Sequence, residues 1–203
     1  MNVAIVKYNA GNVQSVLYAL QRLGINAIVT DDHEKIMAAD KVIFPGVGNA
    51  SSAMQYLKER KLDQLIISLK QPVLGICLGL QLMCNYSEEG NTACMGLFDA
   101  GVKKFDESVF KDINLIPYKI PHMGWNTIYD LSSPLMNRID ESSYVYFVHS
   151  YYAELSPQTI ATTNYINPFS AAMQKDNFYG VQFHTEKSAG TGEKILSNFL
   201  NFE

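Results

Sequence analysis

This sequence predicts an α/β fold: a mostly parallel open sheet with flanking helices, carrying an added antiparallel section in its second half. Three observations predict it. Apolar strand-like runs alternate with helix-like segments through the first half. A glycine-flanked cysteine stands where one such run turns into a helix, and the second half shifts to short aromatic and β-branched runs separated by polar turns.

The elements follow in order. Residues 3–6 form a continuous apolar run. Val13, Val16, Leu17, Leu20 and Leu23 then share one helical face before Gly24 stops the helix. Residues 25–29 read as a second strand, 42–44 as a third, 50–60 as a helix and 62–69 as another. Strand, helix, strand and helix in this order imply parallel pairing with right-handed crossovers. Pro72-Val73-Leu74 opens a fourth apolar strand. Residues 90–130 read as strand and loop. Residues 144–153, 159–165, 171–174 and 178–183 look like antiparallel strands, and 193–200 close the chain as a short amphipathic helix. One domain is expected over residues 1–203, a length that buries a sizeable core without disulfides or a structural metal.

Bulk composition narrows the function. Hydrophobic residues at 47% and charged residues at 18% exclude disorder as a description of the whole. A net charge of −4, with no Lys/Arg cluster, argues against nucleic acid as a ligand. The first residues enter an apolar strand with no basic region before it and no cleavage site after it, and no apolar run approaches the ~20 residues that span a bilayer. A soluble protein is expected. Three cysteines without metal-type spacing fit a reducing cytoplasm, and no cofactor or metal is expected.

Gly75-Ile76-Cys77-Leu78-Gly79 is the most informative stretch. It reads as a strand turning sharply into a helix with the cysteine at the corner, the elbow of G-x-S-x-G hydrolases with sulfur in place of oxygen. Glycines allow strand, turn and helix to approach closely enough to hold the strained corner. At a helix N-terminus the unpaired N–H groups favour the thiolate, and lowering a thiol pKa from about 8.5 towards 7 requires about 2 kcal/mol. The alternative is a plain buried cysteine.

A thiol nucleophile needs a base, and four histidines are available. His33, in Asp31-Asp32-His33-Glu34, reads as a solvated residue of a polar turn or helix start. His184 follows Tyr179-Gly180-Val181-Gln182-Phe183, a strand whose C-terminal end would deliver it to the sheet edge where open α/β sheets place their sites. Glu186 comes two residues later, so an extended backbone would put both side chains on one face; the alternative is an ordinary strand-end histidine. His122 and His149 sit beside aromatics and are read either as candidate bases or as satisfied core or interface residues. Phe44-Pro45-Gly46-Val47-Gly48 is either a loop that turns backbone N–H groups towards an oxyanion or a plain β-turn. Trp125, the only tryptophan, follows Gly124 in what reads as a loop and is either an interface anchor or a core residue.

Taken together, the Cys77 elbow, Pro45-Gly46-Val47-Gly48 and His184-Thr185-Glu186-Lys187 resemble the class I, triad-type glutamine amidotransferases, whose sheet is flavodoxin-like. Tyr8-Asn9-Ala10-Gly11-Asn12 with Ser15, Gly75 to Leu82, Pro121-His122-Met123-Gly124-Trp125-Asn126 and Tyr146-Phe147-Val148-His149-Ser150-Tyr151 resemble one branch, the free-standing glutaminase subunits of imidazole glycerol phosphate synthases. The resemblance implies a Cys77, His184, Glu186 triad that hydrolyses glutamine to glutamate and ammonia. It implies oxyanion-hole N–H groups at Val47 and Leu78, the first directly or after a peptide flip, and substrate contacts from Gly46, Gln81, Ser150 and Tyr151. It implies a heterodimer with a (β/α)₈ barrel subunit that receives ammonia through a tunnel and makes imidazole glycerol phosphate and an aminoimidazole carboxamide ribonucleotide in histidine biosynthesis. Asn12, Trp125, Asn126, Tyr146 and Lys187 would lie at or near the docking face.

Two departures stand out. Thr185 replaces the family's usual proline, restoring an N–H and some freedom, and Asn9-Ala10-Gly11 replaces a proline-containing loop. Cys84, about two helical turns after Cys77, is expected as a packed thiol on the same helix face; Cys94 carries no signal. Two other functions fit the same residues: a glutaminase supplying ammonia to a sugar or nucleotide sugar in a glycan pathway, and a silent binding or regulatory subunit.

Overall fold

The computed structural model describes residues 1–9, 12–106, 108 and 119–202. Its first half runs β1 (Val3–Val6), α1 (Val13–Arg22), β2 (Ile28–Thr30), α2 (His33–Met37), β3 (Lys41–Gly46), α3 (Ala50–Glu59), α4 (Leu62–Ser68), β4 (Val73–Cys77) and α5 (Leu78–Met83). Every helix and strand expected there forms, with ends shifted by a few residues. Side-chain caps explain two of the starts: Asp32 accepts from the N–H groups of Glu34 and Lys35, and Asn49 from those of Ser51 and Ser52.

The rest of the chain runs β5 (Tyr86–Ser87), β6 (Thr92–Ala93), β7 (Gly101–Lys104), β8 (His122–Thr127), β9 (Tyr144–His149), β10 (Tyr151–Ala153), β11 (Thr159–Tyr165), β12 (Asn167–Lys175), β13 (Phe178–Val181) and α6 (Ala189–Leu200). The main sheet has seven strands in the order β11-β12-β13-β4-β3-β1-β2. Pairing is parallel from β2 through β1, β3 and β4 to β13, and antiparallel from β13 through β12 to β11.

Strands β1, β3, β4 and β13 are buried along their whole length, as parallel strands covered on both faces must be. Their alternate residues feed two separate cores. Ala4, Val42, Phe44 and Val73 face Leu57, Ile66 and Leu80 of α3, α4 and α5; Ile5, Ile43, Leu74 and Ile76 face Leu20 of α1 and Phe199 of α6. A period of two in four continuous apolar runs therefore builds two layers of helices on one sheet.

Four expectations are corrected. Residues 144–153 are not one strand: β9 pairs only with β8 in a two-stranded ribbon, while β10 joins β7, β5 and β6 in a small second sheet, because the chain bends at Ser150. Strand β13 is antiparallel only to β12 and continues the parallel sheet beside β4. Trp125 and Gly124 lie in β8, not in a loop. Helix α5 ends at Met83, so Cys84 caps it rather than extending its face. The strand-and-loop reading of residues 90–130 holds at β6, β7 and β8; positions 107 and 109–118 lie outside the described residues, as do Ala10 and Gly11 of the N-terminal motif. Among the described residues no helix is long and apolar enough to cross a membrane.

Candidate active site

Cys77 ends β4 and precedes the first turn of α5 with φ 53° and ψ −107°, a conformation that costs a residue with a Cβ of order 1–3 kcal/mol. The corner is held by exclusion. A Cβ on Gly79 would lie 1.9 Å from the Phe44 carbonyl oxygen, so α5 sits on β3 only because position 79 has none. A Cβ on Gly46 would lie 2.1 Å from the Tyr8 hydroxyl and 3.0 Å from the Leu78 Cβ. The Pro45 that precedes Gly46 is tolerated because β1 pairs with β3 only as far as Ile43.

His184 sits beyond the end of β13. Its backbone N–H donates to the Tyr146 carbonyl of β9 over 2.9 Å. Ser188 clamps the same junction, its hydroxyl donating to the His184 carbonyl at 2.7 Å and accepting the Tyr146 N–H at 2.9 Å. Residues Thr185–Lys187 form a 3-10 turn, which corrects the extended geometry expected between the histidine and the acid. The turn still brings the Glu186 Oε1 to 2.7 Å from the His184 Nδ1, with both side chains essentially out of solvent. Thr185 is buried and its hydroxyl has no hydrogen-bond partner.

The His184 Nε2 is buried without a hydrogen-bond partner, and Cys77 is near enough to act on the charge of the ring. Burial opposes a charge on the ring, but the Cys77 sulfur and the Glu186 carboxylate outweigh it, and His184 is pushed up to about 10. The arrangement therefore favours an imidazolium between a sulfur and a carboxylate, the charge distribution a thiol nucleophile and its proton shuttle require. Converging groups separated by about a hundred residues of chain are brought together by the parallel pairing of β4 with β13.

A cavity of about 250 Å³ opens on the sulfur. Val47, Leu78, Gln81, Ser150 and Tyr151 line it beside Cys77, so five of the six expected oxyanion and substrate residues converge on it; Gly46 is buried behind them, against Tyr8. Sequence reasoning misses two contributors and leaves a third undecided. Glu89 brings a carboxylate to the cavity while its Oε2 accepts the Ala50 N–H at 2.7 Å. Gln182, fully buried, accepts from the Gln81 Nε2 at 3.0 Å and approaches the Cys77 sulfur with its own Nε2 at 3.6 Å. A polar residue set in the otherwise apolar run before His184 is the one signal that marks Gln182. His149, undecided between base and core residue, forms part of the wall, 3.0 Å from His122.

Residues expected at a docking face divide. Trp125 is 52% exposed and packs edge-on against Tyr146, with ring centroids 5.9 Å apart; the Lys187 ammonium lies 6.0 Å from the Tyr146 ring. Met123 and Tyr144 extend the same exposed apolar surface. Asn126 is half-buried. Asn12, in the left-handed region at φ 72°, donates from Nδ2 to the Glu186 Oε1, which ties this position directly to the carboxylate paired with His184. His33 is a helix-start residue as expected, although its Nε2 bonds the Arg60 carbonyl at 3.0 Å. Cys84 and Cys94 are packed thiols: burial pushes both up, Cys94 to about 11. Among the described residues no cluster of His, Cys, Asp or Glu could hold a metal ion.

The model of the family described as glutamine amidotransferase class-I matches residues 4–202. Imidazole glycerol phosphate synthase subunit HisH of Bacteroides fragilis is 57% identical over 200 residues, which cover 98% of this chain and 99% of that protein. The protein of the same name from Yersinia pseudotuberculosis is 46% identical over 202 residues, covering 98% and 99%. Among solved structures, a putative GMP synthase component from Thermoplasma acidophilum superposes with a TM-score of 0.74 at 18% identity, covering 98% of this chain and 92% of that one. PurLQS from Thermotoga maritima gives 0.71 at 16%, covering 98% and 97%. At these identities the solved structures speak for the fold.

Proposed function

This chain belongs to the class-I glutamine amidotransferase family, and from that membership we propose that it is the glutaminase subunit of an imidazole glycerol phosphate synthase, working in the cytoplasm. The relatives of that name, matched from end to end at 46–57% identity, support the assignment over the glycan-pathway alternative. One observation carries the chemistry: a cysteine strained into a strand-to-helix corner raises the pKa of an imidazole that is tied to a buried carboxylate at 2.7 Å.

The reaction follows from these groups. Glutamine enters the cavity with its α-ammonium towards Glu89 and Gln81 and its carboxylate towards the Ser150 and Tyr151 side. Both Gln81 amide hydrogens are already used, on the Tyr151 carbonyl at 2.8 Å and on Gln182, so Oε1 is what it offers, an acceptor suited to an ammonium group. The Cys77 thiolate attacks the side-chain carbonyl carbon, and the C=O pair moves onto oxygen, stabilised by the Leu78 and Val47 N–H groups. His184 gives its proton to the departing nitrogen, the C–N bond breaks, and ammonia leaves a glutamyl thioester. Water, deprotonated by His184, then attacks the thioester carbonyl carbon, the C–S bond breaks, and glutamate leaves with the Cys77 thiolate restored beside a protonated His184. Loss of one oxyanion donor typically costs about 10²- to 10³-fold, so a Val47 N–H that becomes aligned only when a partner docks would hold the isolated subunit nearly silent.

The partner is a (β/α)₈ barrel subunit, docked on the Trp125, Tyr146 and Lys187 surface, that uses the ammonia to make imidazole glycerol phosphate and the aminoimidazole carboxamide ribonucleotide. Glutamate release by the full chain, alone and with such a barrel subunit, tests the proposal. Glutamine-dependent synthesis is expected to vanish in Cys77→Ala while free ammonia still supports it. Synthesis from glutamine by that variant, or no glutamate release in either condition by the unaltered chain, overturns the reading.

A further inference from the structure

Two buried histidines remain unused by this chemistry. His122 and His149 face each other across the β8–β9 ribbon as a directly opposed pair, which is why their rings meet. They sit among Phe105, Phe147, Phe169 and Tyr165, with the His122 ring stacked on Tyr165 at a centroid distance of 3.8 Å. An aromatic enclosure offers the rings few polar partners, so the bonds they do make fix their tautomers.

Those bonds all run in one direction. His149 Nδ1 lies 2.7 Å from the Tyr151 carbonyl, which can only accept, so Nδ1 carries the hydrogen. In the neutral ring Nε2 is then the acceptor, and His122 Nδ1, 3.0 Å away, is its donor. His122 Nε2 is left as an acceptor and meets the Asn126 Nδ2 at 3.4 Å. The Asn126 amide cannot be reversed without loss: its Oδ1 accepts the Thr127 N–H at 2.8 Å, and its Nδ2 also donates to the Asn164 carbonyl at 3.1 Å. Burial holds both rings neutral, lowering His122 to about 4 and His149 to about 3.

The chain of donors ends at an informative atom. The Tyr151 carbonyl that receives His149 is the same one that receives Gln81, and Gln81 is braced by Gln182, which touches the Cys77 sulfur. We propose that His122 and His149 are positioning residues: a one-way hydrogen-bond chain from Asn126 in the exposed ribbon to the Tyr151 carbonyl fixes the acceptor that holds Gln81 for the substrate. The inference deepens the glutaminase reading and rests on it for the role of Gln81. It also gives the ribbon that carries Trp125 and Tyr146 a polar route to the substrate site.

Two measurements test it. In the full chain labelled with ¹⁵N-histidine, long-range ¹H–¹⁵N spectra at pH 7 are expected to show both rings as neutral Nδ1–H tautomers. An Nε2–H tautomer or a charged ring at either position overturns the chain. The second measurement is the glutamine Kd in a Cys77→Ala background, which prevents turnover. His149→Asn keeps a donor near the Nδ1 position, whereas His149→Phe fills the space without one. The first is expected to bind within about threefold of the background, and the second about tenfold more weakly. Equal losses in the two, or none in the second, overturn the positioning role. If the Cys77→Ala chain bound no glutamine at all, the glutaminase reading would fail instead, and the tautomers would still report on the chain of bonds.

Discussion

The two walls of the site are built by opposite means. The wall formed by β3, β4 and α5 holds Cys77 by absence: Gly46 and Gly79 bring backbones and the Tyr8 hydroxyl to distances that any Cβ would forbid. The wall formed by the β8–β9 ribbon is held by presence, through paired rings, a bonded asparagine and a serine clamp onto the turn that carries His184. Steric exclusion is all-or-none, because a contact of 1.9 Å with a backbone oxygen has no cheap relief. Hydrogen-bond positioning is graded, since each bond removed costs about 0.5–1.5 kcal/mol and the rest of the chain persists.

Substitutions on each wall can break that contrast. The largest effect is expected for Gly79→Ala, where α5 must shift off Phe44; a loss of about 3 kcal/mol or more in chemical denaturation, with glutaminase activity lost, is the expectation. A folded variant with unchanged activity would remove the exclusion argument. On the outer face of the other wall, Trp125→Ala is expected to leave folding stability within about 0.5 kcal/mol while weakening binding of the proposed barrel subunit by about 2 kcal/mol or more, measured by titration calorimetry. Equal losses in folding would place the indole in the core instead of the interface.

Acid sharpens the comparison. His122 and His149 have folded pKa values below their unfolded value of about 6.5, so below that pH the unfolded chain binds more protons than the folded one. The stability that depends on these two neutral rings is therefore full above pH 6.5 and declines as pH falls from there towards 4 and 3. At pH 5 the loss is about 1–2 kcal/mol for each ring, read as a lowered Tm, and His149→Phe is expected to flatten the slope. The smallest effect is expected at the turn. Thr185 opens a 3-10 turn, where proline is accepted, and its hydroxyl is buried without a partner, so Thr185→Pro is expected to gain about 0.5–1 kcal/mol with the His184–Glu186 contact intact. A loss would show that the threonine N–H or hydroxyl has a role.

The same contrast explains what can be read in the sequence. Parallel strands buried on both faces appear as unbroken apolar runs, and glycines flanking a cysteine at the end of one announce the corner, so β1, β3, β4 and Cys77 are legible. The ribbon is not. A strand that carries His122 to an aromatic interior and Trp125 to solvent looks like a loop when its partner strand lies about twenty residues away. The bend at Ser150 that sends β9 and β10 to different sheets leaves no mark on composition. The 3-10 turn between His184 and Glu186 is hidden for a similar reason: it is imposed by Ser188 bonding back to Tyr146 and His184, contacts that no local pattern encodes. Glu89 escapes notice because its place in the cavity depends on the fold of the short β5–β6 hairpin.

The most direct test uses the three thiols against one another. The full chain treated with an electrophilic glutamine analogue and mapped by peptide mass spectrometry is expected to carry the adduct on Cys77, with labelling slowed about 10²-fold or more in His184→Ala. An adduct on Cys84 or Cys94, or undiminished labelling of Cys77 when the imidazole is absent, would contradict the triad.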